Sequence, residues 1–320
     1  MSFISGKTIK GKKRYYLEKS VRFLGGNVKK FSVYLKGYKP EGEFKDAAYY
    51  GKMLDEKISE GIVDFASKYY RKLNVFDEKV LRRLEEIKLD YKEIKKNLNR
   101  RQMRDVIDRF TVNFTYESNS IEGNSLTLKD VTLILHEKKA IKGKDLREIY
   151  ETLNTREAMD LVFDNKLRIK EKDIIKLHKI LVKNTDVPIG YKKLPNFLLG
   201  RSVETIPPEK VEGEMNKLIV WFHENENMHP LQRASIFHGK FEKIHPFEDG
   251  NGRVGRLLIN IMLLNHGYPP LIIRKSQRVS YFSCLEAFDR GYEDKLSRFL
   301  IEKYKATYEK FFKVYIKYLK

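Results

Sequence analysis

The sequence has little with which to cross-link itself and little with which to enter a membrane. A single cysteine, Cys284, stands among 320 residues. No internal disulfide can form, and that usage fits a reducing compartment. No apolar leader follows Met1, and the longest apolar run, Leu257 to Leu264, is interrupted by Asn260. A secretory signal and a membrane span are therefore not expected, and the chain reads as soluble and cytoplasmic. Zinc-ligand spacings, a P-loop and a dinucleotide fingerprint are missing, which removes three common chemistries. Repeats and low-complexity blocks are missing too. Acid is scarce at one end: residues 1 to 40 hold eleven basic residues and one acid, Glu18. That stretch supplies half of the formal net charge of +20.

What is present describes a globular, mostly helical chain. Hydrophobic residues make up 41% and charged residues 34%, enough to bury a sizeable core. The first ~50 residues read as β structure. Arg14 to Phe23 and Asn27 to Leu35 are aromatic and β-branched runs around Leu24-Gly25-Gly26, a hairpin signal. From Ala47 to about Asn99 apolar residues recur at helical spacing, as in Val80, Leu81, Leu84 and Ile87, so two or three amphipathic helices are expected. Residues 101 to 320 continue helical except between Asp186 and Pro208, where Pro, Gly and β-branched residues point to a hairpin or extended flap. The expected organisation is a basic β-hairpin element at 1–50, a helical region at 51–100 and a main domain at 101–320.

One segment concentrates the chemistry. His245-Pro246-Phe247-Glu248-Asp249-Gly250-Asn251-Gly252-Arg253-Val254-Gly255-Arg256 holds a base, a carboxylate, a Gly-Asn-Gly turn and two arginines within twelve residues. Gly250 and Gly252 permit positive φ and leave the backbone uncovered, so successive N–H groups can form an anion nest. The following stretch, Arg253 to His266, is apolar at helical spacing and stops at Gly267 before Pro269 and Pro270. The nest thus falls on a helix N-terminus, where phosphate is favoured. Arg253 and Arg256 lie one turn apart and can fork onto successive phosphates. Imidazole, with a pKa near 6.5, can take a proton from an attacking hydroxyl. The twelve residues read as a polyphosphate site with a nucleophile activator beside it. Each has a plainer reading: a structural histidine, a helix-capping aspartate, arginines in surface salt bridges.

This segment resembles the signature of Fic-domain nucleotidyltransferases, which typically move AMP from ATP onto a hydroxyl side chain of a target protein. The resemblance extends over roughly residues 101 to 300. It includes Glu151-x-x-Asn154-x-x-x-Ala158, Leu177-His178, Gly190-Tyr191, Trp221-Phe222, His238, Gly267-Tyr268-Pro269-Pro270, and Arg278 with Tyr281. It implies a mainly α, Fic-type helical bundle with a β-hairpin flap behind the small basic β element, and a core at about 165–300. By the resemblance His245 is the general base and Asp249 holds Mg²⁺ across the α- and β-phosphates. Asn251 and the backbone of Gly250 and Gly252 hold the α-phosphate, Arg253 the β-phosphate and Arg256 the γ-phosphate. Ser118-x-x-x-Glu122-Gly123, within 118–124, resembles the inhibitory motif of members that carry their own brake, its carboxylate pairing with Arg256. The plainer reading is a helix end at Gly123, followed by a new helix from Thr127-Leu128-Lys129-Asp130.

The flap, Leu194 to Glu204, with Leu194, Asn196, Phe197 and Leu198 as its docking residues, resembles the hairpin on which family targets lay an extended segment by main-chain pairing; the plainer reading is an ordinary surface hairpin. Near the nucleobase, Tyr281, Phe282 and Asp289 fall where similar proteins often carry Tyr for Phe282 and Asn for Asp289. An amide donates and accepts, whereas an ionised Asp289 only accepts, so base choice is open and ATP stands first by resemblance. The leading expectation is a self-restrained protein adenylyltransferase with ATP and an unspecified target protein as partners. Its enzymatic rival removes AMP, with Glu122 positioning water. The rival of another class binds nucleic acid through residues 1–50, where Tyr15, Tyr16, Phe23, Phe31 and Tyr34 interleave with basic residues. A homodimer is compatible with the sequence and not signalled by it.

Overall fold

A computed structural model describes residues 2–40, 46–72, 75–137, 141–196 and 205–319. The chain packs as two compact units, Met1–Lys72 with Phe76–Leu89, and Leu73–Val75 with Asp90–Lys320.

The first unit contains a three-stranded antiparallel sheet, β1 (Phe3–Ile9), β2 (Lys12–Arg22) and β3 (Val28–Tyr34), in that order. The hairpin read from the sequence is β2 and β3, joined through Gly25 and Gly26 at φ 70° and 82°. The sequence reading did not include β1. Its connection to β2 is the two-residue turn Lys10-Gly11 with both φ positive, at 49° and 73°. Lysine there hides a turn that an Asn-Gly pair would have announced. Side chains alternate across the sheet. Leu17, Phe31 and Val33 face inward and pack with Leu54 and Ile58 of helix α1 (Ala47–Tyr69). Helix α2 (Glu78–Asn97) gives its first part to this unit and its last turns to the second.

In the second unit α3 (Arg100–Ile121) opens with a capping box between Asn99 and Gln102. After it come α4 (Leu128–Thr132), itself boxed by Thr127 and Asp130, then α5 (Leu146–Phe163) and α6 (Glu171–Leu181). The rest is α7 (Pro208–Glu224), α8 (Pro230–Ile244), α9 (Asn251–Asn265), α10 (Arg278–Asp289), α11 (Glu293–Phe311) and α12 (Lys313–Leu319). The protein is mainly α. Helices α8 and α9 form the centre, with Phe237, Phe241, Phe247 and Leu257 inaccessible to water. Asn260, which interrupts the apolar run of α9, is buried: its carboxamide donates to Leu271 O at 3.1 Å and accepts from Leu271 N at 2.8 Å. The polar interruption thus clips the Pro269-Pro270-Leu271 segment onto the helix. Among the described residues, no helix is long and apolar enough to cross a membrane.

Candidate active site

The site begins where α8 ends. His245 caps that helix in the left-handed conformation, φ 50° and ψ 63°, its N–H donating to Phe241 O at 2.9 Å. This sharp reversal sends the chain into the loop that leads to α9. Nδ1 of His245 faces Glu242 Oε2 at 4.0 Å, and the same buried carboxylate lies 4.0 Å from His238 Nε2 through its other oxygen. Nε2 of His245 is the nitrogen turned away from Glu242.

The loop is held by its backbone. Asn251 Nδ2 donates to Phe247 O at 2.8 Å, and Asn251 Oδ1 accepts from Phe247 N at 2.9 Å. The Asn251 carboxamide is therefore committed to the loop, and its backbone N–H is the part that can face an anion. Asn196 Nδ2 also donates to Phe247 O, at 2.9 Å, and Lys192 N donates to Pro246 O at 2.8 Å. His178 stacks flat on Phe247, ring centroids 3.9 Å apart at 4°. Its Nδ1 accepts from Gly190 N, so Nε2 carries the proton and donates to Asp249 O at 3.1 Å. Burial holds this imidazole neutral, with its pKa lowered to about 4.

Helix α9 starts at Gly250, φ 83°, with no side-chain cap. The first intrahelical bond runs from Val254 N to Gly250 O. The N–H groups of Asn251, Gly252 and Arg253 therefore have no acceptor within the helix and present a partial positive charge. Asp249 flanks this end. Its Oδ1 accepts from Gly250 N at 2.6 Å, and its Oδ2 is shared by Arg253 at 3.2 Å and Arg147 at 2.6 Å. Burial alone would raise the Asp249 pKa, but Arg253, the Gly250 N–H and Arg147 together bring it below the usual range, so the group is ionised. Arg253 is nearly inaccessible and also pairs with Glu151 at 3.2 Å.

Across the helix start lies the end of α3. Glu122 is its C-cap, and Gly123 follows at φ 105°. The Glu122 carboxylate reaches Arg256, Oε1 to Nη2 at 2.7 Å. Arg256 is 2% exposed and is further held by Ser118, through Oγ at 3.0 Å and the main-chain O at 2.9 Å. Burial works against the guanidinium charge, and Glu122 more than compensates, raising its pKa. The carboxylate also presses on the helix start. A Cβ added to Gly252 would come 2.1 Å from Glu122 Oε1 and 2.9 Å from Arg256 Nη1. Glycine at 252 is what lets an anion approach this backbone.

The remaining candidates divide. Tyr281 is fully buried below Arg256, its hydroxyl 2.6 Å from His238 Nε2, and burial raises its pKa. Phe282 is half-buried, with the Arg278 guanidinium 4.7 Å above its ring, and Asp289 ends α10. Leu194 is 69% exposed, whereas Asn196 is tied to the loop. Phe197 and Leu198 lie outside the described residues. The sequence reading missed Arg147, whose partner Asp249 is 102 residues away. It also missed Lys192, a buried lysine whose Nζ donates to Asn196 Oδ1 at 2.7 Å and whose pKa burial lowers to about 8.

Residues 168–263 match the Fic/DOC family. Over that segment the chain is similar to Fic-domain proteins. The matched segment includes the His245–Arg256 string and α9 as far as Leu263, and it leaves out Ser118, Glu122 and α10. Over 183 residues the chain is 35% identical to the protein adenylyltransferase Fic of Nematostella vectensis, covering 55% of this chain and 43% of that protein. It is 28% identical over 228 residues to the protein adenylyltransferase fic-1 of Caenorhabditis elegans, covering 68% of this chain and 44% of that one. The chain thus spans less than half the length of these curated relatives. The fold is similar to that of a Fic domain containing signaling protein from Bacteroides thetaiotaomicron, TM-score 0.63 at 25% identity, covering 69% of this chain and 93% of the other.

Proposed function

We propose that this Fic domain serves a protein adenylyltransferase that restrains itself through Glu122. The observation that carries the reading is the placement of one base, one ionised carboxylate and two arginines around the uncapped start of α9. ATP is the proposed substrate. Its α-phosphate would rest on the N–H groups of Asn251, Gly252 and Arg253, its β-phosphate on Arg253 and its γ-phosphate on Arg256. His245 Nε2 would take the proton from a Ser, Thr or Tyr hydroxyl of the target. The hydroxyl oxygen then bonds to the α-phosphorus, the bond from that phosphorus to the bridging oxygen breaks, and pyrophosphate leaves with the electron pair. AMP stays on the target.

Mg²⁺ fits the residues present. One ionised carboxylate, Asp249, 42% exposed, suits an ion that draws most of its ligands from phosphate and water. Bound there, the ion would neutralise charge on the phosphates. The protein's part is to keep Asp249 ionised and aimed, which Arg253 and the Gly250 N–H support.

In the resting protein Glu122 takes the arginine that the γ-phosphate needs and crowds the nest through Gly252. In this reading residues 101–320 form the catalytic part and 118–124 the brake, while the basic sheet within 1–50 belongs to the first unit together with α1. The test is transfer of label from α-labelled ATP to protein by the wild type and by Glu122→Gly with Mg²⁺. Strong labelling by the variant supports the reading. If Glu122→Gly instead loses the ability to strip AMP from a modified protein, the carboxylate serves water activation and the enzyme works in the removing direction.

A further inference from the structure

The sheet of the first unit has a second face that the core does not use. Leu17, Phe31 and Val33 point to α1, so their neighbours in the alternation, Arg14, Tyr16 and Glu18 on β2 and Lys30, Ser32 and Tyr34 on β3, share the opposite face. Tyr16 and Tyr34 are direct cross-strand partners, their rings 5.5 Å apart at 53°. Three cations stand over the aromatics of this face: Lys7 over Tyr16 at 4.9 Å, Arg14 over Tyr34 at 5.9 Å and Lys30 over Phe3 at 5.3 Å. Phe3 is 49% and Tyr34 45% exposed. Glu18, the sole acid among residues 1–40, is inaccessible to water. Lys7 pairs with it at 2.7 Å and Lys30 from the other side, so no negative charge of that stretch reaches the surface.

We propose that this face binds single-stranded nucleic acid, with bases stacked on Tyr16 and Tyr34 and phosphates on the surrounding lysines and arginines. The charge selects a polyanion. The ring pair, with Tyr34 exposed and Tyr16 half-buried beside it, selects one whose flat apolar groups are accessible, since a base offers a π-face in a single strand and hides it in a duplex. A central strand of 11 residues extends about 36 Å, room for several nucleotides. An acidic protein segment or an anionic membrane would use the lysines and leave the paired tyrosines without a role.

The test uses the full chain and fluorescent oligo-dT and oligo-U of about twelve nucleotides, read by anisotropy between about 50 and 300 mM salt. Both oligomers should bind, or one of them if the sugar matters, and affinity should fall steeply with salt. Tyr16→Ala with Tyr34→Ala should weaken binding about tenfold or more while leaving the salt slope in place. Tyr16→Phe with Tyr34→Phe should restore it. Lys12→Gln with Arg14→Gln should lessen the slope by roughly one to two, a readout that survives if the alanine pair disturbs the sheet. Three outcomes overturn the proposal: no binding at about 50 mM salt, a duplex bound as tightly with no effect of the tyrosines, or phosphatidylserine vesicles captured in place of oligonucleotides. None of these residues belongs to the Fic domain, so protein labelling by Glu122→Gly is read independently.

Discussion

Glu122→Gly tests the brake on two scales at once, and the two should move in opposite directions. The change removes the carboxylate 2.7 Å from an arginine that is 2% exposed. Leaving a fully buried charge without its partner costs on the order of 3–5 kcal/mol. Here the Glu122 side chain is 35% exposed and Ser118 still accepts two hydrogen bonds from Arg256, so water and serine recover part of that. A loss of about 1–2 kcal/mol remains, which for a unit of this size lowers Tm by roughly 2–8 °C. Activity should rise for the same reason. Arg256 becomes available to the γ-phosphate, and the nest at Gly252 loses the oxygen that crowds it. If the brake misplaces the transition state by about 3 kcal/mol, release gives roughly a hundredfold gain in label transferred from α-labelled ATP. Glu122→Gln should show a smaller gain, because an amide still hydrogen-bonds the guanidinium. Arg256→Ala placed on Glu122→Gly should cancel the gain. Equal labelling by wild type and Glu122→Gly with Mg²⁺ and several nucleotides tried, or a gain that survives Arg256→Ala, would refute the reasoning.

His245→Ala should abolish transfer and leave nucleotide affinity nearly intact, since Asp249, the nest and both arginines remain; labelling within about tenfold of the parent would remove His245 as the base. Asp289→Asn should narrow base use toward ATP, read by ATP and GTP competition in Glu122→Gly, and an unchanged preference would free Asp289 of that role. His178 predicts a pH dependence. Its folded pKa of about 4 lies below the ordinary 6.5, so its contribution is fully present above about 6.5 and is lost as pH falls toward 4. That contribution is on the order of 3 kcal/mol, and His178→Gln should flatten the fall in unfolding free energy across that window.

The parts of the molecule that the sequence shows most openly are those whose information is local. Helices α1 and α2 announce themselves by apolar spacing, and the box Thr127-x-x-Asp130 marks the start of α4. The strand β1 does not, because its turn uses Lys10 at positive φ in place of a residue that favours it. The same division runs through the site. The string from His245 to Arg256 carries its chemistry in consecutive residues, and its position at a helix start follows from the apolar pattern behind it. The Glu122 to Arg256 pair joins residues far apart in sequence, so periodicity alone would not have found it, and only the likeness of Ser118-x-x-x-Glu122-Gly123 to a known motif did.

The groups that hold the loop rigid have a weaker signature still, and for a physical reason. Asn196, Asn251, His178 and the main chain of Lys192 all act on peptide groups of Pro246, Phe247 and Asp249. Every residue offers the same carbonyl, so the acceptor's identity constrains nothing in the donor's sequence. Lys192 illustrates the consequence: its neighbour Lys193 is exposed, Lys192 itself is buried, and Gly-Tyr-Lys-Lys does not tell them apart. As the proposed base, His245 depends for its aim at a hydroxyl on such contacts as well as on its own ring. Placement of the loop that follows His245 is therefore carried by residues whose partners are backbone, and a reading built on side-chain types passes over them.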